Sequence, residues 1–193
     1  MHFIGRSICA IVLKVFCGIR AYGRENVPEK GGFILASNHL SFLDPPAVGV
    51  ASPRPLNYMA RHDLFNIPLA GWSLLAVGAF PVKRGSADLV ALRSTIKLLE
   101  SGEGVLLFPE GTRQEKGSVK PPQPGIGFIA AKSKVPVIPV FVSGTDTALP
   151  RGAKFIRRSQ VCVRFGKQIP IERSMPYQEI AERIMAHIRH LSC

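Results

Sequence analysis

Apolar residues fall along this chain in short runs punctuated by glycine, proline and polar clusters. Phe33-Ile34-Leu35-Ala36, bounded by Gly31-Gly32 and Ser37-Asn38, reads as a buried strand opening into a loop. Residues 56–60, 80–84, 105–108 and 160–165 read as further strands, and 20–32 as an edge strand with a turn. Residues 135–142 form another, whose prolines predict an edge or end position. Between the strands, the spacing predicts helices from Asp44 to about residue 50, over 86–101, over 125–134 and from Pro176 to about His190. Leu89, Leu92, Ile96 and Leu99 mark the buried stripe of the second helix, and Ile180, Ile184 and Ile188 that of the last. Strands alternating with helices predict an α/β fold, with a largely parallel central sheet flanked by helices. The loops at its strand ends would gather His39, Arg84 and Glu110 on one edge.

Two apolar segments stand outside this alternation. Over residues 2–20, Ile4, Ile8, Ile11, Val15 and Ile19 recur at helical spacing, while Arg6 and Lys14 interrupt them. The segment is too short and too charged to span a bilayer, which takes about 20 mostly apolar residues, and it lacks a small-residue cleavage site. An interfacial helix lying among headgroups and a core-packing first helix both fit its periodicity; the former is preferred as a membrane-associating unit, 1–20, ahead of a domain over 21–193. Residues 63–79 carry the single Trp and no charge after Asp63, but Pro68, Gly71 and Gly78 break them. A broken helix lining an acyl-chain groove and a buried core helix both fit.

Charge narrows the choice of partner. The 193 residues hold 25 Lys and Arg against 13 Asp and Glu, a net charge of +12, which implies a polyanionic partner. With 46% hydrophobic residues and cations scattered among apolar segments, an anionic membrane fits better than nucleic acid, which is not expected to bind. Cys9, Cys17, Cys162 and Cys193 form no CxxC pair and have no His at metal-ligand spacing, so a zinc site is not expected, and the thiols read as reduced.

Candidate chemistry sits at strand ends. His39 follows the 33–36 strand, and Asp44 follows five residues later, ahead of Pro45-Pro46 at a helix start. A carboxylate can hold an imidazole's tautomer so that its far nitrogen takes a proton, which makes His39 a candidate general base. On these residues alone, a helix-capping aspartate and an ordinary loop histidine fit as well. Lys83 and Arg84, at a strand end before a helix, suit an anion site or a solvated charge pair. Glu110, Gly111, Thr112 and Arg113 form a compact polar cluster after the 105–108 strand: Arg113 could grip a phosphate bidentately, and Glu110 could orient that arginine, bind a substrate hydroxyl or form a surface pair. The GxGxxA match over 125–130 is rejected as a dinucleotide fingerprint, because a proline-rich loop precedes it where a strand is needed.

Asn38-His39-Leu40-Ser41-Phe42-Leu43-Asp44, then Phe80-Pro81-Val82-Lys83-Arg84, Phe108-Pro109-Glu110-Gly111-Thr112-Arg113 and Val137-Ile138-Pro139-Val140 together resemble the four ordered blocks of the PlsC-type glycerolipid acyltransferases, the lysophosphatidic acid acyltransferase family. The resemblance spans about residues 20–170 and is specific because FPEGTR follows NHxxxxD by about 70 residues in the right order. It implies transfer of a fatty acyl group from acyl-CoA or acyl carrier protein to the sn-2 hydroxyl of 1-acylglycerol 3-phosphate, with His39 as base and Asp44 holding it. It further implies that Arg84 and Arg113 bind the acceptor's phosphate, with Lys83 beside them and Glu110, Gly111 and Thr112 shaping the pocket. It implies no metal, and a peripheral or monotopic place on the cytoplasmic face of a membrane. Two positions depart from the family pattern, Lys83 and Pro124, which leaves another lysophospholipid or a lyso-ornithine lipid as alternative acceptor. A membrane-binding module without catalysis would need only the basic face and the apolar helix.

Overall fold

The computed structural model describes residues 17–61, 79–82, 89–114, 121–153 and 155–192. Most of the expected membrane-associating helix, all of the expected 63–79 segment but Ala79, Lys83 and Arg84 lie outside the described residues.

Among the described residues seven strands form one sheet. In chain order they are β1 Arg20–Tyr22, β2 Phe33–Ser37, β3 Leu56–Arg61, β4 Ala79–Val82, β5 Gly104–Leu107, β6 Val137–Ser143 and β7 Cys162–Phe165. Among the described residues five α-helices accompany them: α1 Asp44–Ala51, α2 Leu89–Glu100, α3 Pro124–Ser133, α4 Thr145–Ala148 and α5 Tyr177–His190. The spatial order is β1-β7-β6-β2-β5-β3-β4, and every neighbouring pair is parallel except β6 with β7. The expected α/β fold with a largely parallel sheet is therefore the one observed.

β2 lies near the middle and is buried throughout, which is why its sequence reads as an unbroken apolar run. Phe33 and Leu35 point to one face, where α1 contributes Ala47, Val48 and Ala51. Ile34 and Ala36 point to the other, packed with Leu99 of α2, Ile126 and Ile129 of α3, and Ile180 and Ile184 of α5. Each fully buried large side chain of this kind stabilises the fold by about 1.5–3 kcal/mol.

Two expectations are corrected. β6 is interior, between β7 and β2, so of the edge and end positions its prolines predict the edge is excluded. Pro139 is tolerated there because its residue faces β7: its carbonyl accepts from Gly166 N–H at 2.8 Å, and the β6–β7 ladder begins only at Val140, so the missing N–H falls at the ladder's end. In α2 the buried residues are Ala91, Thr95 and Leu99, while Leu92 and Ile96 flank them half-buried and Leu89 is 55% exposed. Thr95 can be buried because its hydroxyl donates to the Ala91 carbonyl at 2.8 Å.

The rejected GxGxxA stretch has a packing explanation. A Cβ on Gly127 would lie 1.9 Å from the Tyr177 carbonyl oxygen, so the glycine lets the start of α5 close against α3. Pro124 occupies the first helical turn of α3, where its missing N–H costs nothing.

Candidate active site

The parallel register builds the site before any side chain is considered. Ala36 pairs with Leu107 across β2 and β5, so the chains leaving these strands run side by side, three residues on, to His39 and Glu110. Both lie at the carboxyl edge of the sheet, the usual place for a site in this architecture.

Asn38 anchors the exit from β2. Its side-chain amide donates to the Val142 carbonyl at 2.8 Å, and its side-chain oxygen accepts from Val142 N–H at 2.7 Å, tying the loop to β6. His39 follows, its ring stacked on Phe108 with centroids 4.0 Å apart. Nδ1 of His39 lies 2.9 Å from Oδ2 of Asp44, and the Asp44 side chain has no solvent exposure. A carboxylate only accepts, so the neutral ring takes the tautomer with its proton on Nδ1 and its lone pair on Nε2. The His39 side chain is 15% exposed.

Asp44 does not cap α1. The cap position is Leu43, without a side-chain bond, and Asp44 is the first helical residue, followed by two prolines that bring no N–H needing a partner. Its carboxylate turns back into the loop instead. Oδ2 accepts from Leu40 N–H at 2.6 Å and Ser41 N–H at 2.7 Å as well as from His39, and Oδ1 accepts from the Thr145 hydroxyl at 2.5 Å. Four donors on a buried carboxylate hold it rigidly, and the imidazole with it.

Glu110 is 4% exposed, and no ion pair joins it to Arg113 among the described residues, which removes the surface-pair reading. Burial pushes its carboxyl up to about 7, against the backbone N–H groups of Glu110 and His39, which favour the charged form, and with a smaller push from the Asp44 charge. Its Oε2 has no hydrogen-bond partner among the described residues. Gly111 takes a positive φ of 65°, closing a tight turn in which its N–H donates to the Phe108 carbonyl at 3.0 Å. Gln114 N–H then donates to the His39 carbonyl at 2.8 Å, so the two loops are stitched together.

Arg113 lies with its guanidinium carbon 3.5 Å from the centroid of the Phe42 ring, and Phe42 is 57% exposed. Burial, with Arg151 nearby, makes the Arg113 charge less favourable than in water and lowers its pKa. Thr112 is half-buried in the same turn. Of the residues expected from sequence, His39, Asp44, Glu110, Gly111, Thr112 and Arg113 thus come together, while Lys83 and Arg84 lie outside the described residues. Among the described residues no three His, Cys, Asp or Glu side chains converge as a metal would need.

Sequence reasoning missed Thr145 and did not assign Asn38 or Phe108 a role. Thr145 follows a strand and a glycine as a helix starter does, but nothing local links it to Asp44. What the geometry can do is general-base chemistry at Nε2, beside an arginine suited to an anion.

Residues 18–143, more than half of the chain, match the protein family described as Acyltransferase. The chain belongs to the acyltransferase family. A 1-acyl-sn-glycerol-3-phosphate acyltransferase of Bacillus subtilis is 36% identical over 146 residues, covering 73% of this chain and 72% of that protein. A chloroplastic 1-acyl-sn-glycerol-3-phosphate acyltransferase of Brassica napus is 32% identical over 158 residues, covering 80% of this chain; that match takes in 46% of the Brassica protein, so the chain spans about half its length. The crystal structure of the 1-acyl-sn-glycerophosphate acyltransferase PlsC of Thermotoga maritima superposes with a TM-score of 0.78 at 24% identity, covering 98% of this chain and 78% of that one. The acyltransferase fold is therefore common to both. No helix among the described residues is long and apolar enough to cross a membrane.

Proposed function

We propose that this acyltransferase moves a fatty acyl group from a thioester, acyl-CoA or acyl carrier protein, to the sn-2 hydroxyl of 1-acylglycerol 3-phosphate, making phosphatidic acid. The observation that carries the reading is the His39–Asp44 pair, held by three further donors to the carboxylate beside Arg113 at one edge of the sheet. The names of the Bacillus and Brassica relatives support the choice of acceptor.

In the reaction, Nε2 of His39 takes the proton of the sn-2 hydroxyl as its oxygen attacks the thioester carbonyl. Asp44 stabilises the imidazolium that forms. When the tetrahedral intermediate collapses, the carbon–sulfur bond breaks and the proton on Nε2 passes to the leaving thiolate, so the histidine returns to its starting state. No acyl-enzyme forms. Arg113, together with Arg84, binds the acceptor's phosphate with Lys83 nearby; Glu110, Gly111 and Thr112 shape the pocket. The chemistry calls on no metal or further cofactor. The net charge of +12 favours a place on the cytoplasmic face of an anionic membrane, where lipid substrate and product both reside.

The test is acyl transfer by the purified full chain to a panel of lysolipids, with both thioester classes as donors. 1-Acylglycerol 3-phosphate is expected to be the preferred acceptor, and His39→Ala should lower turnover at least about 100-fold with an unchanged circular dichroism spectrum. Undiminished turnover by that variant would end the mechanism, and a wild type that acylates no lysolipid would end the functional reading.

A further inference from the structure

The connection from α4 to β7 carries a surface that the acyl-transfer chemistry leaves unused. Its near end is pinned: the Arg157 N–H donates to the Ala148 carbonyl at 2.8 Å, the Ala153 N–H to the Pro150 carbonyl at 3.0 Å, and Leu149 and Ile156 pack against the core. Phe155, next to Ile156 on this pinned loop, is nevertheless 81% exposed. Arg151, Arg157 and Arg158 are exposed around it, and the sequence holds no Asp or Glu between Asp146 and Glu172. Neither Arg157 nor Arg158 has an ion pair among the described residues, so an exposed ring here stands beside two guanidiniums that can each take an anion.

The loop is also fixed to the rim of the site. The Ser41 hydroxyl donates to the Leu149 carbonyl at 3.0 Å, so the loop starts beside the residue preceding the exposed Phe42. Arg151 reaches close enough to Arg113 to disfavour its charge, and the Arg157 N–H bonds back to Ala148 of α4, the helix whose Thr145 meets Asp44, so the two ends of the loop lie by the site. A ring that can enter the boundary between headgroups and acyl chains, flanked by guanidiniums that can pair with phosphates, matches a bilayer surface in both apolar and ionic character.

We propose that Phe155, Arg157 and Arg158 seat the enzyme on an anionic bilayer, Phe155 inserting among the headgroups and Arg157 and Arg158 pairing with lipid phosphates, so that the His39 rim faces the membrane that supplies its lipid. This rests on the reading of the enzyme as a lysolipid acyltransferase. An acidic protein such as acyl carrier protein would meet the arginines, but the lipid substrate and product favour the bilayer as the surface at this rim.

The experiment measures co-sedimentation of the full chain with vesicles of equal phosphatidylglycerol and phosphatidylcholine, and with phosphatidylcholine alone. Phe155→Ser is expected to lower partition onto the anionic vesicles about tenfold relative to wild type. Arg157→Gln and Arg158→Gln should each lower it about fivefold, with little change on phosphatidylcholine. Turnover of a short-chain 1-acylglycerol 3-phosphate dissolved as monomers should stay at the wild-type level in Phe155→Ser, which separates docking from catalysis. Equal partition of Phe155→Ser and wild type would overturn the loop assignment while leaving acyl transfer standing; a wild type inactive on every lysolipid would instead overturn the functional reading. Unaltered vesicle binding combined with weakened capture of acyl carrier protein would assign the loop to an acidic protein and also overturn the proposal.

Discussion

The Thr145 hydroxyl donates to Asp44 Oδ1 at 2.5 Å across a sequence separation of 101 residues. It occupies the one carboxylate oxygen that the histidine loop leaves open, because His39, Leu40 and Ser41 all bond to Oδ2. The aspartate is thereby held from two sides, by its own loop and by the start of α4.

Thr145→Val keeps the shape and removes this donor. Leaving Oδ1 buried without that bond should cost about 1–3 kcal/mol of stability, read as a lower denaturant midpoint. Turnover should fall about tenfold as the imidazole loses its alignment, and Thr145→Ser should recover most of it. Full activity in the valine variant would show that the loop's own bonds suffice.

Arg113→Ala separates acceptors. If Arg113 grips a phosphate, the substitution should raise KM for 1-acylglycerol 3-phosphate at least about tenfold, while a lysolipid without an exposed phosphate monoester is little affected. Arg113→Lys should recover only part of the loss, because an ammonium lacks the planar fork that lies over the Phe42 ring. Steady-state kinetics on both acceptors give the answer. An equal rise in KM for both would place Arg113 outside phosphate recognition.

Glu110 gives stability a pH dependence of defined sign. Its folded-state pKa of about 7 lies above its ordinary value of 4.5, so between these pH values the folded chain binds more protons than the unfolded one. Stability from this group therefore falls as pH rises from about 4.5 to about 7 and levels off beyond, at up to roughly 1.4 kcal/mol per unit. Glu110→Gln should remove that slope, so denaturant titrations at pH 5 and pH 8 should show the variant gaining on wild type at the higher pH. A difference between variant and wild type that is the same at both pH values would exclude the titration.

Gly127→Ala tests packing apart from chemistry. A Cβ 1.9 Å from the Tyr177 carbonyl forces α3 and α5 apart, with an expected loss of about 1–3 kcal/mol. Thermal melts should show it as a drop of several degrees. Turnover per folded molecule should be unchanged, since no site residue comes from either helix.

Much of the architecture was legible from local pattern. Strands buried on both faces, such as β2, read as continuous apolar runs, and α5 shows its stripe of Ile180, Ile184 and Ile188 directly. Two clusters of candidate residues were legible as well, since His39 and Asp44 are five positions apart and Glu110 and Arg113 three, whereas Thr145 was not. Position in the sheet was harder. The prolines of β6 left an edge and an end position both open, because periodicity cannot say on which side of a strand a missing N–H falls, nor where the neighbouring ladder starts. The stripe of α2 was misjudged because a threonine that satisfies its own hydroxyl on the preceding turn buries like an apolar residue.

The amino-acid sequence by itself determined which segments extend or coil and which chemistry each loop carries, because those follow from backbone preference and spacing within about ten residues. Strand order decided the rest. Only once β2 lies between β5 and β6 do residues roughly 70 and 100 positions away reach His39 and Asp44, stacking Phe108 on the imidazole, burying Glu110 beside it and bringing Thr145 to the carboxylate. Long-range hydrogen bonds of this kind depend on which chain ends meet in space, and no local periodicity encodes that.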